Sequence, residues 1–147
     1  MALERISTGI TGLDSLIEGG IPRGSTVLVS GNPGTGKTIL AAHFLFEGLK
    51  KGENGLYVSF GESKEQFLIN MEKLGMPFRD FEQQGKYVFL DFATITQEGM
   101  RDALEEILAT VIETKAKRLV VDSISAISYT YPDQIVSARI ILQTVLG

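Results

Sequence analysis

A glycine-rich segment of eight residues, 31–38, constrains this chain more than any other feature. It fits the pattern G-x-x-x-x-G-K-[ST] of a P-loop, and it consists of Gly31, Asn32, Pro33, Gly34, Thr35, Gly36, Lys37 and Thr38. Phosphates are bound by backbone N–H groups that point into a tight loop, which glycine permits. Lys37 would supply a positive charge to the β- and γ-phosphates, and the Thr38 hydroxyl would ligate Mg²⁺. The segment therefore predicts a nucleotide-phosphate site.

The residues on either side of this loop support the prediction. Thr26–Ser30 is a short apolar run rich in β-branched residues, and it predicts the strand that precedes a P-loop. Ile39–Phe46 contains strong helix formers with an apolar face, and a helix there would direct the positive end of its dipole at phosphate. Strand, loop and helix in this order argue against a glycine-rich turn that fits the pattern by chance.

Strands and helices alternate along the rest of the chain. Further strands are predicted at 55–60, 87–92 and 118–122, and helices near 13–17, 63–74, 78–84, 97–114 and 135–146. Such alternation predicts βαβ units and a mainly parallel sheet, in which ligands bind at the carboxyl ends of the strands. We therefore expect an α/β fold of three layers, α/β/α, of the P-loop NTPase class.

Two acidic residues follow predicted strands. Asp122 ends an apolar strand in the form of a Walker B acid, which orders Mg²⁺ directly or through water, although a cap of the next turn gives the same pattern. Its position downstream of a P-loop favours the metal role. Glu62 could polarise the water that attacks the γ-phosphate, or it could only add favourable charge before a helix capped by Ser63. The pattern favours neither role of Glu62 over the other.

Composition excludes several classes of function. The net charge is −4, and no basic cluster is larger than the pair Lys50–Lys51, which argues against a nucleic-acid surface. Cysteine is absent, so disulfides and thiolate metal sites are excluded. The N-terminus lacks the apolar core of a signal peptide, and no stretch is apolar and long enough to span a membrane. We expect one cytoplasmic domain over residues 1–147.

These features together resemble the RecA-superfamily ATPases, and among them the KaiC-like group of circadian clock proteins and their archaeal relatives. The similarity lies in Ser7–Asp14, Gly19–Gly24, the P-loop with the following His43–Gly48, Gly55–Phe60 and Leu119–Ser123. The resemblance implies a RecA-like fold, ATP as the nucleotide and Mg²⁺ as the metal. It also implies a homo-oligomer, a hexameric ring that holds nucleotide between its subunits.

The chain departs from the family pattern in two places. The family has a pair of glutamates after its second strand, whereas this chain has Gly61 followed by Glu62. The chain ends at Gly147, where family domains continue, so we expect a C-terminally incomplete domain. By this resemblance the missing part would carry further strands, including the one between the P-loop and Walker B strands. It would also carry basic residues that reach the γ-phosphate across the subunit interface.

Three functions are compatible with these observations. The first is Mg²⁺-dependent ATP hydrolysis, in which Lys37 holds the phosphates and Glu62 the attacking water, while Thr38 and Asp122 hold the metal. The second is a nucleotide-binding switch with little turnover, which Gly61 favours. The third is a recombinase-like DNA-binding protein, against which the acidic balance counts.

Overall fold

The computed structural model describes residues 3–32, 34–96 and 98–122 of the 147-residue chain. Within these residues the elements are, in chain order, β1 (Arg5–Ile6), α1 (Thr11–Leu16), β2 (Ile21–Pro22), α2 (Lys37–Lys50), β3 (Gly55–Ser59), α3 (Lys64–Lys73), α4 (Phe78–Gln83), β4 (Tyr87–Asp91), α5 (Met100–Thr114) and β5 (Arg118–Asp122). The predicted helix 135–146 lies outside the described residues.

The main sheet is parallel, with β3 between β4 and β5. Each of its strands was predicted, because each is a continuous apolar run between turn residues. The register aligns the strand ends, so that Ser59 of β3 lies opposite both Asp91 of β4 and Asp122 of β5. Polar residues of all three strands therefore meet at one edge of the sheet, the edge where ligands bind in such folds.

Helices cover both faces of the sheet. On one face, α2, α3 and α4 pack over alternate strand residues, in a core that includes Leu45, Tyr57, Phe67, Phe78 and Phe89. On the other face α5 packs over the intervening strand residues, in a core of Leu56, Val58, Phe60, Met100, Leu104 and Ile107. Because side chains of a strand alternate between faces, β3 contributes to both cores. The expected three-layer α/β/α architecture is confirmed.

The prediction of a strand at Thr26–Ser30 is wrong. No strand forms there, and Val27, Leu28 and Val29 are 53%, 66% and 44% exposed. A strand requires a hydrogen-bonded neighbour, and among the described residues no strand pairs with this segment. In the described sheet β5 pairs with β3 on one side, and no described strand lies on its other side.

Arg118, the first residue of β5, ties three parts of the fold together. Its side chain is 2% exposed and pairs with Glu53 at 3.1 Å. Its Nη1 donates to the carbonyl oxygens of Ser7 and Phe44, each at 2.7 Å. These bonds satisfy a buried charge and attach the N-terminal segment and α2 to the strand that ends in Asp122. Burial lowers the pKa of Arg118, and Glu53 opposes that effect.

Candidate functional site

The P-loop adopts a conformation that requires glycine. Gly34 and Gly36 have φ angles of +81° and +93°, which side-chain-bearing residues rarely adopt. At Gly31 a Cβ would lie 2.8 Å from the Thr35 hydroxyl oxygen, so the restriction there is close approach. Gly36 is the N-cap of α2, and the loop therefore leads directly into the positive end of that helix.

Lys37 lies across the loop. Its ammonium group donates to the carbonyl oxygen of Gly31, and to that of Asn32 at 3.1 Å. The Thr35 hydroxyl also donates to Asn32, at 2.7 Å, and fixes the turn. A phosphate oxygen is a better partner for an ammonium than a neutral carbonyl, so this geometry fits a phosphate ligand. Pro33, the remaining predicted residue of the loop, lies outside the described residues.

Thr38 and Asp122, the two predicted metal ligands, lie in direct contact. The Thr38 hydroxyl donates to Oδ2 of Asp122 at 2.8 Å, across 84 residues of sequence. A hydroxyl and a carboxylate are hard oxygen ligands of the kind Mg²⁺ prefers. The described residues contain no group of three or more acidic, histidine or cysteine side chains that could hold a metal. Mg²⁺ needs no such group, because phosphates and water complete its coordination in nucleotide sites.

Tyr57 joins this pair from inside the core. Its hydroxyl donates to the same Asp122 oxygen at 2.8 Å, and its ring packs 4.4 Å from Phe67 and stacks on Phe89 at 5.4 Å. Burial raises the pKa of Tyr57, and the charge of Asp122 raises it further. The phenol therefore stays protonated and acts as a fixed donor to the carboxylate.

Glu62 lies at the junction between β3 and α3, as the sequence predicted. The buried Ser59 hydroxyl donates to the Glu62 carbonyl at 2.7 Å and accepts from its backbone N–H at 3.0 Å. Ser63 then caps α3 by accepting from the N–H of Gln66 at 3.3 Å. Hydrogen bonds thus link the end of β3 to the turn and cap the start of α3, and they hold the backbone of Glu62 between the two elements.

Glu62 lines a cavity next to the P-loop helix. The cavity is about 450 Å³ in volume and is lined by Thr38, Ile39, Glu62, Asn70, Met71, Lys73 and Leu74. Burial raises the pKa of Glu62, and the nearby charge of Asp122 also raises it, while a hydrogen bond from Asn70 opposes both. The carboxylate is therefore a better proton acceptor than an exposed glutamate.

Three side chains in this region were not predicted from the sequence. Tyr57 is one apolar residue among several in a buried strand, and its contact with Asp122 depends on the sheet register. Ser59 carries a weak signal, as the small polar residue that ends β3. The signal for Asn70 is clearer, since Glu62, Gln66 and Asn70 follow one another at the four-residue spacing of a helix face.

A comparison with solved structures identifies the class of the fold. The structure superposes on a KaiC-like protein of the hyperthermophilic archaeon Pyrococcus horikoshii with a TM-score of 0.85, at 36% sequence identity, over 99% of this chain and 66% of that chain. Together with the parallel sheet between two helical layers, this places the fold in the RecA-like α/β class.

Within that class the chain belongs to the KaiC family of ATPase domains. The family model described as "ATPase: KaiC" matches residues 6–146. A UPF0273 protein of Thermotoga maritima is 37% identical over 144 residues, covering 88% of this chain and 60% of that protein. The circadian clock protein KaiC3 of Synechocystis is 37% identical over 135 residues, covering 85% of this chain and 26% of that protein.

The chain spans about 60% of the length of the Thermotoga relative. In the part of the chain that the structure describes, no helix has the length and apolar character needed to cross a membrane.

Proposed function

We propose that this chain binds ATP with Mg²⁺ and hydrolyses it. The observation that carries the proposal is the hydrogen bond from Thr38 to Asp122, which joins the end of the P-loop to the end of β5. Glu62 and Thr38 line the same cavity, so a candidate base lies beside the candidate metal ligands. Phosphate cradle, metal ligands and base are the parts that phosphoryl transfer to water requires.

Each residue has a defined role in this proposal. The backbone N–H groups of residues 34–36 surround the phosphates, and Lys37 exchanges its loop carbonyls for phosphate oxygens. Thr38 and Asp122 would hold Mg²⁺ directly or through water. The metal would neutralise charge on the phosphates when bound. Glu62 orients the attacking water and accepts its proton, for which a raised pKa is favourable.

We propose further that a second copy of the chain completes the site. The P-loop residues Gly31, Asn32, Gly34 and Thr35 are exposed, so the described chain covers only one side of a bound nucleotide. Membership of a family that contains the clock protein KaiC3 supports self-assembly, for which a ring is the form we propose.

The experiment is ATP turnover and ATP affinity of this chain beside two variants, with the assembly state measured in the same samples. Lys37→Ala removes the charge on the phosphates, and we expect it to weaken both binding and turnover. Glu62→Gln keeps the size of the side chain but removes the base. We expect it to lower turnover by roughly 100-fold or more and to leave ATP affinity unchanged. Full turnover by Glu62→Gln would show that Glu62 is not the base that activates water.

A second candidate is a nucleotide-binding switch without useful turnover. The observation that favours it is Gly61, which leaves a single carboxylate between β3 and α3. Tight ATP binding without phosphate release, at protein concentrations where the chain assembles, would support the switch and overturn the hydrolase.

A further inference from the structure

Asn70 is the side chain that contacts the Glu62 carboxylate. Its Nδ2 donates to Oε1 of Glu62 at 2.9 Å. The backbone of Glu62 is held by Ser59, but a glutamate side chain has three further torsions that this hold leaves free. The hydrogen bond from Asn70 supplies the missing restraint, because it fixes one carboxylate oxygen at a point on α3.

The orientation of the Asn70 amide is itself fixed. Its Oδ1 accepts a hydrogen bond from Nε2 of Gln66 at 3.0 Å, one helical turn earlier. An amide presents donors on one side and an acceptor on the other, and an ionised carboxylate only accepts. With its oxygen satisfied by Gln66, Asn70 directs its N–H group at Glu62. Hydrogen bonds thus link Gln66 to Asn70 on α3, and Asn70 to Glu62 in the turn that precedes the helix.

This chain of hydrogen bonds ends at the cavity. Glu62 and Asn70 both line it, together with Thr38 from the P-loop helix. Oε1 of Glu62 is engaged by Asn70, while Oε2 receives no hydrogen bond from the described residues. A carboxylate held by one oxygen, with the other left for water, has the geometry that a water-orienting group needs.

We infer that Asn70 is a positioning residue, which holds the Glu62 carboxylate in the cavity for its action on water, and that Gln66 orients Asn70. The inference rests on the proposed function of Glu62. It concerns the rate of turnover and not the binding of nucleotide, since Asn70 lies on α3 and the phosphate cradle is formed by residues 31–38.

The principal test is Asn70→Leu, which keeps the size of the side chain and removes the donor. We expect kcat to fall about tenfold, the loss typical of one hydrogen bond to a charged group, and the Kd for ATP to stay within about twofold of the wild type. Glu72→Gln, at an exposed position of the same helix, is the matched control and keeps wild-type kcat. Asn70→Gln, which keeps the amide on a longer stem, restores part of the loss. Wild-type kcat in Asn70→Leu, or an equal loss of ATP affinity, would overturn the inference.

A double-mutant cycle distinguishes positioning from a general structural effect. If Asn70 acts through Glu62, Asn70→Leu causes no further loss of turnover in a chain that already carries Glu62→Gln. Single-turnover hydrolysis of radiolabelled ATP measures both rates. If the double variant loses the product of the two single losses, the inference is overturned, while the role of Glu62 stays intact. Full turnover by Glu62→Gln alone would instead overturn the proposed function.

Gln66→Leu is a second test, which removes the hydrogen bond to Asn70 and serves if Asn70→Leu does not fold. Gln66 is exposed, so its replacement leaves the core of α3 unchanged. We expect a kcat loss smaller than that of Asn70→Leu, about two- to threefold, with unchanged ATP affinity. Wild-type kcat in Gln66→Leu would show that Gln66 does not orient Asn70.

Discussion

Asp122 receives hydrogen bonds from Thr38 and Tyr57 on the same oxygen, each at 2.8 Å. Its other oxygen receives none from the described residues. One donor comes from the P-loop helix and the other from the aromatic core. These two hydrogen bonds fix the orientation of the Asp122 carboxylate before any ligand binds. This reduces the reorganisation that binding requires.

The raised pKa of Glu62 predicts a shift in the pH dependence of turnover. Burial and the charge of Asp122 raise this pKa above its ordinary value of 4.5, so protonation begins at a higher pH than in an exposed glutamate. As the proposed base, Glu62 would act only when ionised, and kcat/KM reports the free enzyme. We therefore expect kcat/KM to decline with falling pH along an acid limb centred above pH 4.5.

Two controls accompany this pH measurement. Circular dichroism at each pH verifies that the chain stays folded, and ATP affinity over the same range separates catalysis from binding. An acid limb centred at or below the ordinary glutamate value, in a folded chain, would contradict the prediction.

At the scale of elements, Arg118 makes Gly48 a position where alanine destabilises. An alanine in a helix interior is ordinarily more stable than glycine by about 1 kcal/mol. A Cβ at Gly48, however, would lie 2.5 Å from Cδ and 2.6 Å from Nε of Arg118. The hydrogen bonds of Arg118 to Ser7 and Phe44 leave that side chain little freedom to move.

We therefore expect Gly48→Ala to lower the free energy of unfolding by about 1–3 kcal/mol, measured by urea denaturation. Gly12→Ala is the matched control, because Gly12 lies in α1 with no atom within 4 Å of the added Cβ. There we expect no loss, and a gain of up to about 1 kcal/mol. A Gly48→Ala chain as stable as the wild type would show that Arg118 can move aside.

Most elements could be predicted from the sequence, since their signals are local. The strands β3, β4 and β5 are apolar runs between turn residues, and the capping pair Ser63 and Gln66 marks the start of α3. Thr26–Ser30 has the same local signal, but a strand also needs a paired neighbour, which no local pattern reports. The contact of Thr38 with Asp122 followed from motif order, whereas that of Tyr57 depends on strand register and could not be predicted.

At the scale of the whole molecule, the segment Val27–Val29 is an exposed apolar surface. Its three residues are 44–66% exposed and contiguous in sequence, unlike single exposed apolar residues such as Leu16. Contiguous apolar surface of this kind binds hydrophobic dyes and promotes association. We expect Leu28→Ser to reduce both dye fluorescence and self-association of the 147-residue chain. Because Leu28 is exposed, we expect the free energy of unfolding to change by less than about 0.5 kcal/mol.

Leu16→Ser is the control for this surface. Leu16 is 83% exposed, and its replacement removes a similar amount of apolar surface outside the segment Val27–Val29. We expect it to change dye binding less than Leu28→Ser does. Equal effects of the two substitutions would contradict a special role for Val27–Val29.

The hydrogen bonds that assemble the site span long stretches of sequence, and this has a consequence for how the protein is made. Thr38 meets Asp122 across 84 residues, and Arg118 meets Ser7 across 111. Contacts of such separation form late, because the intervening chain must first be ordered. During synthesis the P-loop leaves the ribosome well before its carboxylate partner. The contact between Thr38 and Asp122, on which the proposed metal site depends, therefore forms only when β5 has docked.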